Sequence, residues 1–160
     1  MAAPEPRRLR ITGLHHITII SGSLERTTAF YRDLLGLRLV KRTKNSDDQN
    51  ARHFFFGDGE GRVGTLITCL EYPRMDKGQV GTGSTHHFAL GVESAAELYG
   101  WRDYLRTHGV ACTDVLDRTY FHSLYLRDPD GHIIELAALG PGVQVDEPLH
   151  ALGTRMIEPK

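Results

Sequence analysis

The chain repeats itself, and the repeat limits what it can fold into more than any other feature. His15-His16 is answered by His86-His87 at an offset of 71 residues. Tyr31-Arg32-Asp33-x-Leu35 is answered by Trp101-Arg102-Asp103-x-Leu105 at an offset of 70, and Gly64-x-x-x-Thr68 by Gly131-x-x-x-Glu135 at 67. Three matches in one order imply a duplicated unit. In the first copy a strand-like run from Leu14 leads into a helix over about Leu24 to Leu35, with Phe30 and Leu34 four apart and Gly36 as its stop. Strands follow at 37–43, 53–57 and 65–70. In the second copy a strand at 86–92 precedes Ser94-Ala-Ala-Glu97, a capping box for a helix that runs to Thr107, striped by Leu98, Trp101 and Leu105. Strands at 112–118, 121–127 and 132–138 complete it. The pattern predicts an α+β fold of two tandem βαβββ modules, about 11–73 and 85–140, within a single domain at 11–140. A Gly-rich linker at 76–84 joins them, between a Pro/Arg-rich arm at 1–10 and a loose tail at 141–160.

Bulk properties exclude several classes. A formal net charge of −1 lacks the basic footprint of a nucleic-acid or anionic-membrane partner. The N-terminal residues contain no apolar core of a signal peptide, and runs such as Ile17–Ile20 and Phe54–Phe56 are too short to span a bilayer. Two cysteines, Cys69 and Cys112, make no disulfide framework and read as free thiols, so a cytoplasmic protein is expected. The surplus is histidine: nine, against only four lysines.

Strand alternation sorts those histidines. In the second module Phe88, Leu90 and Val92 form a large apolar phase, while His87, Ala89 and Gly91 form a small one that leaves room for a cavity. Tyr125 lies opposite in phase to Leu124 and Leu126, and Glu135 opposite to Ile134 and Leu136. By the repeat, His16 and Thr18 correspond to His87 and Ala89. His16, His87, Tyr125 and Glu135 are therefore expected to face one cavity. Two imidazoles and one carboxylate form the facial triad that suits non-haem Fe(II), with Mn(II) its usual competitor. His15 and His86 fall out of phase, and only a curl at the strand start brings them inward. The bland reading, of satisfied core or solvated residues, holds for each residue taken alone; it fails only on their equivalent places in the repeat.

Those residues resemble the vicinal oxygen chelate superfamily, which includes glyoxalase I, bleomycin-resistance proteins and type I extradiol dioxygenases. The resemblance covers about residues 12–140 and implies a cupped mixed β-sheet around a metal site. Leu124-Tyr125-Leu126-Arg127-Asp128-Pro129-Asp130-Gly131-His132-Ile133-Ile134-Glu135 is similar to the extradiol motif, in which the Glu binds iron and the Tyr hydrogen-bonds the substrate. Leu14 to Ile19, Gly36 to Thr43 and Gly64 to Thr68 are closer to the hydroquinone-cleaving branch. There the second His of each pair binds iron, the first lines the pocket, and an arginine lies seventeen residues before the Glu, here Arg118. The resemblance thus implies Fe(II), or Mn(II), on His16, His87 and Glu135. It implies His15 and His86 for proton management, Tyr125 on the oxygenated substrate and Arg118 on a phenolate. The chain departs from that branch in having two modules rather than four, and its window at Leu116-Asp117-Arg118 lacks the His of the catechol motif.

The reading that follows is a ring-cleaving dioxygenase acting on a hydroquinone- or catechol-like aromatic with O₂, expected as a homodimer. One alternative is a glyoxalase I-like isomerase, which needs a fourth ligand where this chain has Thr68, a poor donor. Another is a metal-free binding protein of the same fold. His53, His108, His122, His132 and His150 read as structural or surface residues, with His122 the best exception.

Overall fold

Alternation along the first strand decides how the first unit packs. In a computed structural model that describes residues 10–158, β1 (His16–Ser21) buries Ile19 and Ser21 on one face and leaves His16, Thr18 and Ile20 exposed on the other. A short helix, α1 (Leu24–Thr28), starts at Ser23, whose hydroxyl accepts from the Arg26 N–H, and continues as a wider π-helical segment over Ala29–Leu34. The spacing predicts one α-helix with Phe30 and Leu34 inward. Instead the consecutive residues Phe30 and Tyr31 are buried, and Leu34 is only half-buried. An α-helix steps about 100° per residue. The wider turn, in which the Leu35 N–H reaches back to the Phe30 carbonyl, lessens that step and lets two neighbours face the core. The Tyr31 ring lies 5.6 Å from Phe56.

Three further strands, β2 (Arg38–Lys44), β3 (Arg52–Gly57) and β4 (Leu66–Glu71), complete a sheet of order β1-β4-β3-β2, with β1 parallel to β4 and the rest antiparallel. Arg52 clamps this sheet to α1. Its guanidinium donates twice to Glu71 at 2.6 Å and twice to Glu25 at 2.7 and 3.1 Å, and Glu71 also accepts the Leu24 N–H. The arginine holds the Glu71 carboxyl below its ordinary range and brings Glu25 down to about 2. Folded-state values below unfolded ones give stability that is present above about pH 4.5 and lost as pH falls through the folded values. Arg52→Met is therefore expected to lower stability by about 1 kcal/mol at neutral pH, most of it from the Glu71 contact, since the Glu25 pair is exposed. The difference in melting temperature between variant and wild type should shrink as pH falls below 4.5; a constant difference down to pH 2 contradicts the clamp.

The second unit repeats the order with β5 (Phe88–Val92), α2 (Ala95–Thr107), β6 (Leu116–Asp117), β7 (Phe121–Arg127) and β8 (Ile133–Pro141), arranged β5-β8-β7-β6. This is the α+β duplication of two βαβββ modules that the repeat predicts. The unit boundary falls between Met75 and Asp76. Ser94 caps α2 by accepting the Glu97 N–H, while the Glu97 carboxylate accepts the N–H of Glu93. Leu98 and Leu105 from α2 are fully buried, as are Leu124 and Ile134 from the sheet.

Three boundaries differ from expectation, one being β8, which runs past 138 to Pro141 at the start of the expected tail. β5 begins at Phe88, so His86 and His87 precede the ladder. The segment expected as a strand at 112–118 pairs regularly only at Leu116–Asp117. Upstream, Thr113 diverts the ladder: its hydroxyl takes the Tyr125 N–H, and its N–H bonds the Tyr125 carbonyl. Residues 1–9 of the expected arm, and residues 159–160 of the tail, lie outside the described residues. Among the described residues no helix is long and apolar enough to cross a membrane.

Candidate metal centre

Register places the chemistry. In the second sheet Glu135 pairs with Ala89 on one side and Tyr125 on the other, so both neighbours share its face. That face lies opposite Leu124, Ile134 and Leu136, the buried residues on the helix side. Glu135 is 3 % exposed, and a buried carboxylate needs partners. It has two. The Tyr125 hydroxyl donates to Oε1 at 2.6 Å, and the His87 Nε2 lies 3.0 Å from Oε2.

The other expected residues of this unit gather around that contact. The His87 and Tyr125 rings meet edge to face at 5.6 Å, and the Arg118 guanidinium sits 5.3 Å from the centre of the Tyr125 ring. His86 Nδ1 lies 2.8 Å from His87 Nδ1, with the rings at 84°. Thus His86, His87, Arg118, Tyr125 and Glu135, spread over 50 residues of sequence, form one contiguous cluster.

The first unit presents the matching half-pattern. His15 Nδ1 lies 3.0 Å from His16 Nδ1 with the rings at 83°, a near copy of the second pair. Here the register partner of β1 is Thr68, which pairs with Thr18 as Glu135 pairs with Ala89. Phe55 stands where the second unit has Tyr125. Thr68 is completely buried and holds two hydrogen-bond contacts, to Thr18 Oγ1 at 2.9 Å and to His53 Nε2 at 2.8 Å. Burial first, and then the neighbouring His16, push the His53 imidazole below its ordinary range, so it is neutral at pH 7. The sequence alone groups His53 with the structural residues. Two residues from Phe55, it falls on the Thr68 face only through the observed β3–β4 register.

The donor set suits a divalent transition ion. His87 Nε2 and Glu135 Oε2, 3.0 Å apart, are close enough to act as donors to one ion. An imidazole with a carboxylate is a donor pair that zinc, iron, manganese and other divalent ions accept. Within either unit, among the described residues, no third His, Cys, Asp or Glu joins such a pair. Each His-His contact also fixes a tautomer, since one proton serves two Nδ1 atoms. A ring that ligates through Nε2 must donate from Nδ1, which leaves its partner with Nδ1 as acceptor and Nε2 as the N–H.

Residues 13–136 match the family model of the Glyoxalase/Bleomycin resistance protein/Dioxygenase superfamily. The chain is 30 % identical over 154 residues to the Bacillus subtilis (strain 168) protein named "Putative ring-cleaving dioxygenase MhqA", covering 96 % of this chain and 48 % of that one. It is 31 % identical over 124 residues to the chlorohydroquinone/hydroquinone 1,2-dioxygenase of Sphingobium indicum, covering 76 % of this chain and 38 % of the enzyme. The crystal structure of a "putative dioxygenase" from Bacillus subtilis superposes with a TM-score of 0.74 at 34 % identity, over 80 % of this chain and 41 % of that one. The chain thus spans about half, or less, of the length of these relatives.

Proposed function

The chain belongs to the glyoxalase/bleomycin resistance/dioxygenase superfamily, and from that premise we propose that it is a ring-cleaving dioxygenase for a hydroquinone- or catechol-like aromatic. The observation that carries the proposal is the His87–Glu135–Tyr125 contact set, with the two relatives above whose names state ring cleavage or hydroquinone dioxygenation. His87 and Glu135 are proposed as metal ligands, and so is His16, the counterpart of His87 in the repeat. Fe(II) is the preferred ion and Mn(II) the competitor. When bound, such an ion supplies a Lewis-acidic centre with open positions for a ring hydroxyl and O₂.

The chain's own residues do the rest. Tyr125 holds Glu135 in place by its hydroxyl and is proposed to hydrogen-bond an oxygen of the aromatic substrate. Arg118, over the Tyr125 ring, adds positive charge that favours a phenolate over a phenol. His15 and His86 fix the ligating tautomers of their neighbours and turn an Nε2–H outward as a donor to a substrate oxygen. Either can take up a proton only by releasing its contact to the neighbouring ring, which couples proton movement to the geometry of the ligand.

The isomerase alternative needs a protein ligand at Thr68. That hydroxyl is buried and already committed to Thr18 and His53, which counts against a four-ligand site. We further propose a homodimer in the cytoplasm, in keeping with Cys69 and Cys112 not being joined as a disulfide. The test is anaerobic loading with Fe(II), followed by O₂ uptake on a panel of hydroquinones and catechols. Uptake stoichiometric with ring opening is expected. No uptake by the iron form, together with methylglyoxal–thiol turnover on nickel or zinc, points to the isomerase and overturns the proposal.

A further inference from the structure

His53 holds a built position that the proposed site leaves unused. Its Nε2 meets Thr68, Thr68 meets Thr18, and Thr18 sits two residues from His16 on the exposed face of β1. The Thr68 hydroxyl is sealed from solvent, so its single proton must go to one of these two partners. The direction of the chain is therefore all-or-none. If His53 donates from Nε2, Thr68 donates to Thr18, and the Thr18 proton is left to point outward. If His53 accepts, Thr18 donates inward and presents only lone pairs. A neutral imidazole prefers to carry its proton on Nε2, and His53 is held neutral by burial.

Resting on the dioxygenase reading, we propose that His53 is a positioning residue: through Thr68 it turns the Thr18 hydroxyl outward as a donor that selects an aromatic substrate bearing a second, hydrogen-bond-accepting oxygen. The duplicated unit shows that the device is not a requirement of the fold. At the matching positions the second sheet has Ser123 for His53, Glu135 for Thr68 and Ala89 for Thr18, and Ser123 Oγ is buried with no hydrogen-bond partner. The first sheet thus spends its corresponding positions on a hydroxyl relay rather than on a ligand. Phe55, whose ring lies 4.3 Å from His53, supplies the apolar backing that keeps the imidazole in one orientation.

The test measures binding rather than turnover. Dissociation constants of hydroquinone and p-cresol, which differ by one oxygen at similar size, are determined by NMR titration of the metal-free protein. Wild type is expected to prefer hydroquinone. His53→Phe should reduce that preference by about three- to tenfold, the worth of one neutral hydrogen bond. His53→Gln, which retains a side-chain N–H in reach of Thr68, should keep most of it, and Thr18→Val should match His53→Phe. The nitrogen chemical shifts of His53 should report the Nε2-protonated tautomer. An unchanged preference in a folded His53→Phe variant, or an Nδ1-protonated tautomer, overturns the inference while leaving the dioxygenase reading intact. Failure of wild type to bind either compound also overturns this inference, whereas the dioxygenase reading stands or falls on O₂ uptake by the iron-loaded protein.

Discussion

Replacement of Glu135 by glutamine is expected to abolish metal retention and, with it, O₂ uptake, while leaving the fold intact. The amide is the same size as the carboxylate and can keep the Tyr125 contact, since its carbonyl oxygen still accepts the phenol proton. What it loses is the charge. A neutral amide is a weak ligand for a hard divalent ion, and the 3.0 Å partnership with His87 then gives the ion only one good donor in the second unit. The fall in activity should exceed the roughly 10–100-fold that follows when a group merely supporting a ligand is removed. A second readout does not depend on turnover. An ion that binds only the folded state stabilises it by about 2.7 kcal/mol at a hundredfold excess over its dissociation constant. Wild type should gain melting temperature on adding Fe(II) anaerobically or Mn(II), and Glu135→Gln should gain none. Undiminished metal content and an unchanged metal-induced shift in the variant would sink the assignment of Glu135 as a ligand.

Much of this arrangement was legible in the sequence because it lies in offsets and phases. The spacing of His16 to His87 and of Thr68 to Glu135 is enough to align the two modules, and the register pairs Thr18–Thr68 and Ala89–Glu135 follow that alignment. Tyr125 and Glu135 come together because the turn at Asp128–Gly131 sets a hairpin register in which they are opposite. His53 was not legible. Its partner Thr68 is fifteen residues away across a hairpin whose connection, 58–65, carries no two-residue turn signature to fix the register. The π-helical widening after Thr28 was hidden for another reason. Phe30 and Leu34 satisfy an α-helical stripe as well as Phe30 and Tyr31 satisfy the wider one, and only the packing against Phe56 decides between them. The short β6 is a case of local polar chemistry overriding strand propensity, since nothing in Cys112 to Arg118 announces that Thr113 will bond Tyr125 from both its side chain and its backbone.

Tyr125→Phe is expected to lower kcat/KM for the ring-cleaving reaction by about 10–100-fold, with a smaller loss of metal affinity. The substitution removes one atom and little else. The ring remains, so the edge-to-face contact with His87 and the Arg118 guanidinium above the ring face both persist. The fold already accepts a phenylalanine at this place, because Phe55 occupies the matching register position opposite Thr68 in the first sheet. What disappears is the 2.6 Å hydrogen bond into a carboxylate that is 3 % exposed. In the metal-free protein that leaves Oε1 of Glu135 without its donor, at a cost of about 1–3 kcal/mol, visible as a lower melting temperature. In the metal-loaded protein the ion should recover part of that loss by taking the freed oxygen's charge, so the stability gap between variant and wild type should narrow on loading. Activity should not recover in parallel, because in the loaded protein, where the ion takes the carboxylate's charge, the hydroxyl is proposed to turn its one proton to an aromatic oxygen. The two readouts therefore separate. A variant whose activity deficit vanishes once metal is saturating reduces Tyr125 to a support for Glu135; a deficit in kcat that persists at saturating metal assigns the hydroxyl to the substrate as well.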